Sequence, residues 1–412
     1  MSDERDAAMA LLDAAAVRQR ANLLYDAALA GGLDHFSVLP ERLPACADRV
    51  VETIRRNYPS LDIPFHARWR HFGVGGIDRW SALAASAPWL DEGAMARAAF
   101  DLAIVSVLLD GGAGPDWRYE EGRTGSTFTR SEGLAVASFD MFVSGAFSGR
   151  PEDPFRCDAA TLAALTAEDL AAGFQVAPGK NPLVGLEGRT ALLNRLGQTV
   201  EQAPEIFALA DDPRPGGLFD HLSGEVNDDT LPADLVLKAL LAHLGPIWPG
   251  RIVLGGVDLG DTWRHPAARA ADATDGLVPF HKLSQWLAYS LVEPLEWAGI
   301  AVSDISDLTG LPEYRNGGLF LDLGVLALKD EADRARPHEV GSRLVVEWRA
   351  LTVALLDRIA PLVRERLGAR EEDMPLARIL EGGTWAAGRE VARDLRADGG
   401  PPLAVISDGT VF

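Results

Sequence analysis

The stretch LTGLPEYRNGG at 308–318 gathers Glu313, Tyr314, Arg315, Asn316 and a glycine pair into one short turn, in a chain otherwise built from alanine- and leucine-rich segments. A carboxylate held near cations stays ionised, because opposite charge favours its charged form. Such an anion can stabilise a developing cation, for example the oxocarbenium-like centre that forms when a glycosidic bond breaks. Lys282, one helix upstream in FHKLSQW, and Arg315 are the candidate cations. The same residue types would equally suit a buried ion-pair network tying two helices together, and the turn alone leaves both readings open.

Two further clusters could carry chemistry. FHARWRHF at 65–72 sets Arg68, Arg70 and His71 around Trp69. Guanidinium forks bind phosphate or carboxylate through paired hydrogen bonds, so these arginines could hold an anionic substrate group or pair with the chain's own carboxylates. The glycine-rich loop 111–131 carries Trp117, Tyr119, Glu120, Arg130 and Ser131, between Asp110 and Glu132. Aromatics on a glycine-bent loop form the wall of a small-molecule pocket, or they plug the loop onto the core.

Several familiar chemistries lack their residues. The Gly179-Lys180 pair is followed by Asn181 rather than Ser or Thr, so no Walker loop is present. There is no GxGxxG between a strand and a helix, no GxSxG elbow and no HExxH. His66 and His71 are five apart, a spacing that does not share a helical face for metal. Neither a metal nor a cofactor is expected.

With 60 acidic residues against 39 basic ones the formal charge is −21, so DNA or an anionic membrane would be repelled over most of the surface. Cys46 and Cys157 stand far apart without CxxC spacing, which suggests neither a disulfide framework nor a zinc site. The N-terminus lacks the basic-then-apolar order of a signal peptide, and no run reaches the ~20 apolar residues of a membrane span. A cytoplasmic location is the expectation from these features.

Apolar residues recur at three- and four-residue intervals over 3–30, 41–57, 94–110 and 131–145, and Thr129 with Glu132 forms a capping box at the start of the last. Weaker helical patterns cover 161–172, 186–201 and 232–243. PEDPFRC at 151–157 reads as a lobe boundary, giving helical lobes over 1–155 and 156–412. RIVLGGV at 251–257 is the one firm strand signal, and LAVIS near the end is a second. In the last third, the helix after Phe280 contains Pro294 and is capped by Gly299, the helix over 344–367 carries Pro361, and a final helix spans PLARILEGGTWAAGREVARDL. The fold class is mainly α with one or two short accessory strands. The apolar helix over 344–367 could serve a homodimer interface as well as a core.

RWRHF, RSEGLAVASFDMF, PFHKLSQWLAYSLVEPLEWAG and LTGLPEYRNGGLFLDLGVL resemble the uracil catabolism protein four family, whose pathway opens the uracil ring while it is attached to ribose. That resemblance implies a ribosylurea to be cleaved to urea and a sugar. The final third is also similar in layout to the queuosine-salvage N-glycosidases, through Phe280-His281-Lys282, DISDLT, Glu313-Tyr314-Arg315 and Gly341-Ser342. Glu313 stands where those proteins have aspartate, and Asn316-Gly317 replaces their Val-Pro. They look like helix-hairpin-helix glycosylases, which implies an all-α, two-lobed fold here; LTGLPEY matches that hairpin only in part.

These resemblances imply a metal-independent N-ribosyl hydrolase acting on a small ribosylated substrate. Glu313 would stabilise the oxocarbenium-like state or activate water, assisted by Lys282. Arg68, Arg70 and His71 would hold a phosphate or the sugar; Trp117 and Tyr119 would line the leaving-group side; Arg130, Tyr314, Arg315 and Asn316 would complete the substrate contacts. Asp110, Glu120 or Glu132 could protonate the leaving nitrogen. An amidohydrolase acting on the ureido C–N bond and a non-catalytic nucleotide-binding scaffold are the rival readings.

Overall fold

Side-chain caps begin the principal helices. Asp13 accepts from the Ala15 amide at 2.7 Å to open Ala14–Leu29, Asp91 accepts from Ala94 at 2.7 Å to open Glu92–Leu108, and Ser342 caps Arg343–Leu367. The computed structural model describes residues 2–209, 212–248 and 252–406. Within them the protein is mainly α, as its periodicity indicates. The Asp13 cap also splits the helix expected over 3–30 into Ser2–Met9 and Ala14–Leu29. Arg343–Leu367 runs unbroken through Pro361, because buried Ile359, Ala360 and Val363 hold the turn around the missing N–H.

Other local expectations are corrected. Thr129 makes no side-chain cap bond, because the chain enters Arg130–Val143 with Arg130 at φ 56°, in the left-handed region. The capping box forms instead at Thr166 and Asp169, and it divides the 161–172 segment into Ala159–Ala164 and Ala167–Gly173. Of the strand expected over 251–257, Arg251 lies outside the described residues. The rest is a hairpin in which Val253–Leu254 pairs with Val257–Asp258 across Gly255 and Gly256, both at positive φ. Ala404–Ile406 pairs with Pro337–Glu339 in parallel, and Ser407 lies outside the described residues. Short strands are more numerous than expected, but each pairs with one partner only, in two-stranded ladders.

The described residues divide into two compact units that are discontinuous in sequence: 2–66, 252–285 and 304–406 in the first, 67–248 and 286–303 in the second. In the first, Arg343–Leu367 is the central helix, packed by Ala14–Leu29, Leu43–Asn57 and Tyr314–Asp322. Its apolar residues, Val345, Val346, Leu351 and Leu355 among them, are buried within the chain itself. In the second, Glu92–Leu108 packs on Arg130–Val143, and Leu186–Gln202 on Ala159–Ala164. The stretch 151–158 lies inside this second unit, where Arg156 bridges Asp158 and Asp212 at 2.7 Å each. No described helix is long and apolar enough to cross a membrane.

Candidate active site

Glu313 is the N-cap of Tyr314–Asp322 and is buried. Its Oε2 accepts from the Arg315 amide at 2.9 Å and its Oε1 from the Asn316 amide at 2.6 Å, so both oxygens face the positive end of the helix. Burial pushes the carboxyl above its ordinary range, outweighing those two amides and the charges of Lys282 and His66, which pull it down. A buried acid displaced upward in this way is a stronger base than an ordinary glutamate.

The rest of the turn is fixed to the protein. Arg315 does not pair with Glu313: its guanidinium donates to the Gly399 carbonyl at 2.9 Å and lies 4.7 Å from the Tyr314 ring. Asn316 donates to the Leu311 carbonyl at 3.1 Å and accepts from the Thr384 hydroxyl at 2.8 Å, so its amide locks the turn at both ends. Gly317 is required by a close approach, since a Cβ there would stand 2.7 Å from Thr352 Oγ1 and Trp348 Nε1. Gly388, in Trp385–Leu395, lets that helix press on the Arg315 backbone.

Lys282 opens Lys282–Trp297, and its amide donates to Asp261 Oδ2 at 3.0 Å. Asp261 is itself clamped by Arg349 at 2.8 and 2.7 Å and by Trp263 Nε1 at 2.7 Å. Burial raises its carboxyl, but Arg349 wins and holds it below its ordinary value. His281, at φ 48°, is buried with Nε2 on the Leu11 carbonyl, and burial pushes its imidazole down.

Sequence reading missed one pair in this unit. His66 Nδ1 lies 2.6 Å from Glu381 Oε2. Glu381 sits in a π-helical turn, Leu380–Thr384, between Leu376–Ile379 and Trp385–Leu395, and such widened turns are frequent at functional sites. The available signal was the Gly382-Gly383 pair inside an otherwise helical pattern. Among the described residues, no group of three or more His, Cys, Asp or Glu is arranged to hold a metal ion.

The second unit holds the remaining candidates. Arg68 is fully buried; its Nε donates to Ser106 Oγ at 2.8 Å, and one terminal nitrogen donates to Asp110 at 2.6 Å and to His71 Nδ1 at 3.2 Å. Arginine has no acceptor, so His71 Nδ1 is the accepting nitrogen. Burial pushes Arg68 down, while Asp110 and then Glu132 pull it up. Ser131 also donates to Asp110, at 3.2 Å. Arg189, unremarked in the sequence, clamps the Leu109, Gly111 and Gly112 carbonyls, and burial lowers it to about 10.

Arg70 is held by Glu293 at 2.6 and 2.8 Å. Trp117 and Tyr119 plug their loop onto the core: the buried indole donates to the Phe174 carbonyl at 3.0 Å and the phenol to Asp140 at 2.9 Å. Arg130 and Glu120 are exposed; the buried acid of the loop is Glu121, bidentate on Arg79 at 2.8 Å. The structure thus groups Glu313, Lys282 and His66 in one unit, and Arg68, His71, Asp110, Ser131 and Glu132 in the other.

Residues 10–412 match the family described as "Protein of unknown function (DUF1688)", and the chain belongs to that family. It is 41% identical to the protein named Protein urg3 of Schizosaccharomyces pombe, over 98% of each chain. It is 40% identical to Uracil catabolism protein 4 of Lachancea kluyveri, over 92% of each.

Proposed function

We propose that this protein acts in uracil catabolism as an N-ribosyl hydrolase, cleaving a ribosylurea, with or without a 5-phosphate, to urea and the sugar. The names of its relatives support the pathway. The reaction rests on Glu313, a buried carboxylate fixed by two backbone amides at a helix N-terminus, with the charges of Lys282 and His66 acting on it. When the C1–N bond lengthens, positive charge grows on the sugar, and an anion already oriented by the backbone stabilises it without reorganising. The same carboxylate takes the proton of the attacking water. The two amides and the Lys282 charge favour the ionised form and offset part of the effect of burial. A two-lobed fold of the helix-hairpin-helix glycosylase type is part of this reading.

Purified protein is given synthetic ribosylurea and its 5-phosphate, with urea and free sugar measured in parallel. Equal urea and sugar from the wild type, abolished in a folded Glu313→Gln variant, is the expected result. Ammonia in place of urea, or no turnover of either compound, overturns it.

A further inference from the structure

A threonine at the start of a helix ordinarily turns its hydroxyl onto that helix's own first amides. Thr384, which precedes Trp385–Leu395, does not: its backbone is already helical at φ −64° and ψ −41°, and it makes no cap bond. Its hydroxyl reaches 68 positions back along the chain, to Asn316 Oδ1 at 2.8 Å. Both residues are fully buried, so water does not substitute for either partner. The direction of the bond is fixed as well. Asn316 Nδ2 donates at 3.1 Å to the Leu311 carbonyl, which can only accept, so Oδ1 faces Thr384 and the hydroxyl is the donor. Asn316 in turn supplies the shorter of the two amide bonds that hold Glu313, 2.6 Å to Oε1 against 2.9 Å from Arg315 to Oε2. Gly388, one helical turn beyond Thr384 on the same face, lies against the Arg315 carbonyl, where a Cβ would collide. One helix face therefore backs both residues whose amides grip the carboxylate. The π-helical turn Leu380–Thr384 delivers that face, since Gly382 and Gly383 let it seat on Ile63, Tyr58, Val50 and Ile54.

We infer that Thr384 is a positioning residue for Glu313: its hydroxyl holds the Asn316 side chain, and through it the peptide N–H that orients the carboxylate. What that orientation serves rests on the N-ribosyl hydrolase reading above. An ionised carboxylate has about four acceptor directions, and the two amides, by taking one on each oxygen, set where the others point. Stabilising charge at C1 and taking a proton from water both depend on those directions, and a misplacement of about 1 Å costs roughly 10²-fold in rate. Removing the hydroxyl leaves Asn316 Oδ1 buried without a donor, which drives the side chain out of its place. The Asn316 bond to Glu313 then lengthens. That bond favours the ionised carboxyl, as do the Arg315 amide and the charges of Lys282 and His66, so weakening it moves the carboxyl further up.

The test compares wild type with Thr384→Val, which keeps the shape and loses the hydroxyl, and with Thr384→Ser, which keeps the hydroxyl. Two quantities are followed across pH. One is kcat and KM for ribosylurea and its 5-phosphate; the other is the carbon-13 shift of the Glu313 carboxyl in glutamate-labelled protein, identified by its absence in Glu313→Gln. Thr384→Val should lose roughly 10–10²-fold in kcat at nearly unchanged KM, with the acid limb and the carboxyl titration both displaced to higher pH. Thr384→Ser should restore both. Thr384→Ala repeats the deletion if the valine variant fails to melt cooperatively. A carboxyl titration that stays in place without the hydroxyl, or a displaced one with kcat unchanged, overturns the inference and leaves Thr384 a packing residue. If the wild type turns over neither compound, the hydrolase reading falls, and the carboxyl titration alone still decides the positioning.

Discussion

Two stretches of the chain concentrate polar groups, and the protein treats them in opposite ways. In RWRHF the cations meet acids directly: Arg68 bonds Asp110 at 2.6 Å and Arg70 bonds Glu293 at 2.6 Å. In LPEYRNGG the carboxylate of Glu313 is held by backbone amides, while the neighbouring guanidinium of Arg315 turns to the Gly399 carbonyl. A guanidinium that neutralises an acid consumes the field of both. Amides at a helix start orient a carboxylate and leave most of its charge to act on something else. Charge density in a sequence therefore says little about reactivity until the partners are known.

This contrast can be broken by substitution. The largest effect expected is on turnover: Glu313→Gln should lower kcat for ribosylurea by roughly 10²–10⁴-fold, with the melting transition retained. Asp110→Ala should act on stability instead, by about 3–5 kcal/mol in urea unfolding, because it leaves the buried Arg68 charge without its partner. Gly317→Ala should cost about 1–3 kcal/mol, since the added Cβ drives into Thr352 and Trp348. Arg70→Ala should cost about 1 kcal/mol or less, because Glu293, already pushed up by burial, can take a proton when its partner is gone.

Acidity sharpens the same contrast. Glu313 titrates higher in the folded chain than in the unfolded one, so between the two values the native state holds more protons. Stability should therefore fall as pH rises through the window that begins at an ordinary glutamate's ~4.3 and ends at the raised folded value. The acid limb of turnover should lie above the ordinary range for the same reason. Melts and rates across that window should show both slopes in the wild type, and Glu313→Gln should flatten the stability slope.

Helices were legible because their signals are local: a cap such as Asp91 or Ser342 and an apolar stripe need only neighbouring residues. The exceptions are local too, since the left-handed Arg130 undoes the cap that Thr129 and Glu132 advertise. The crowded turn at Glu313 also stood out, but its bonding did not. Adjacency suggested an Arg315 ion pair, whereas N-cap geometry bends the carboxylate back onto its own helix. The His66–Glu381 pair was out of reach, because its members lie 315 positions apart and no periodicity links them. Trp117 and Tyr119 looked like pocket walls because loop aromatics often are; their N–H and O–H partners, Phe174 and Asp140, place them in the core.

The widened turn at Leu380–Thr384 makes chain length, as well as residue identity, a sensitive variable there. A π-helical turn holds one residue more than an α turn needs. Deleting a single residue from 380–384 would let the backbone relax to regular α geometry and rotate everything on one side of it by about 100° about the helix axis. Glu381 and Trp385, which both meet His66, could then no longer present the same face. With Leu380, Gly382, Gly383 and Thr384 buried, the segment should accept few substitutions and no change in its count.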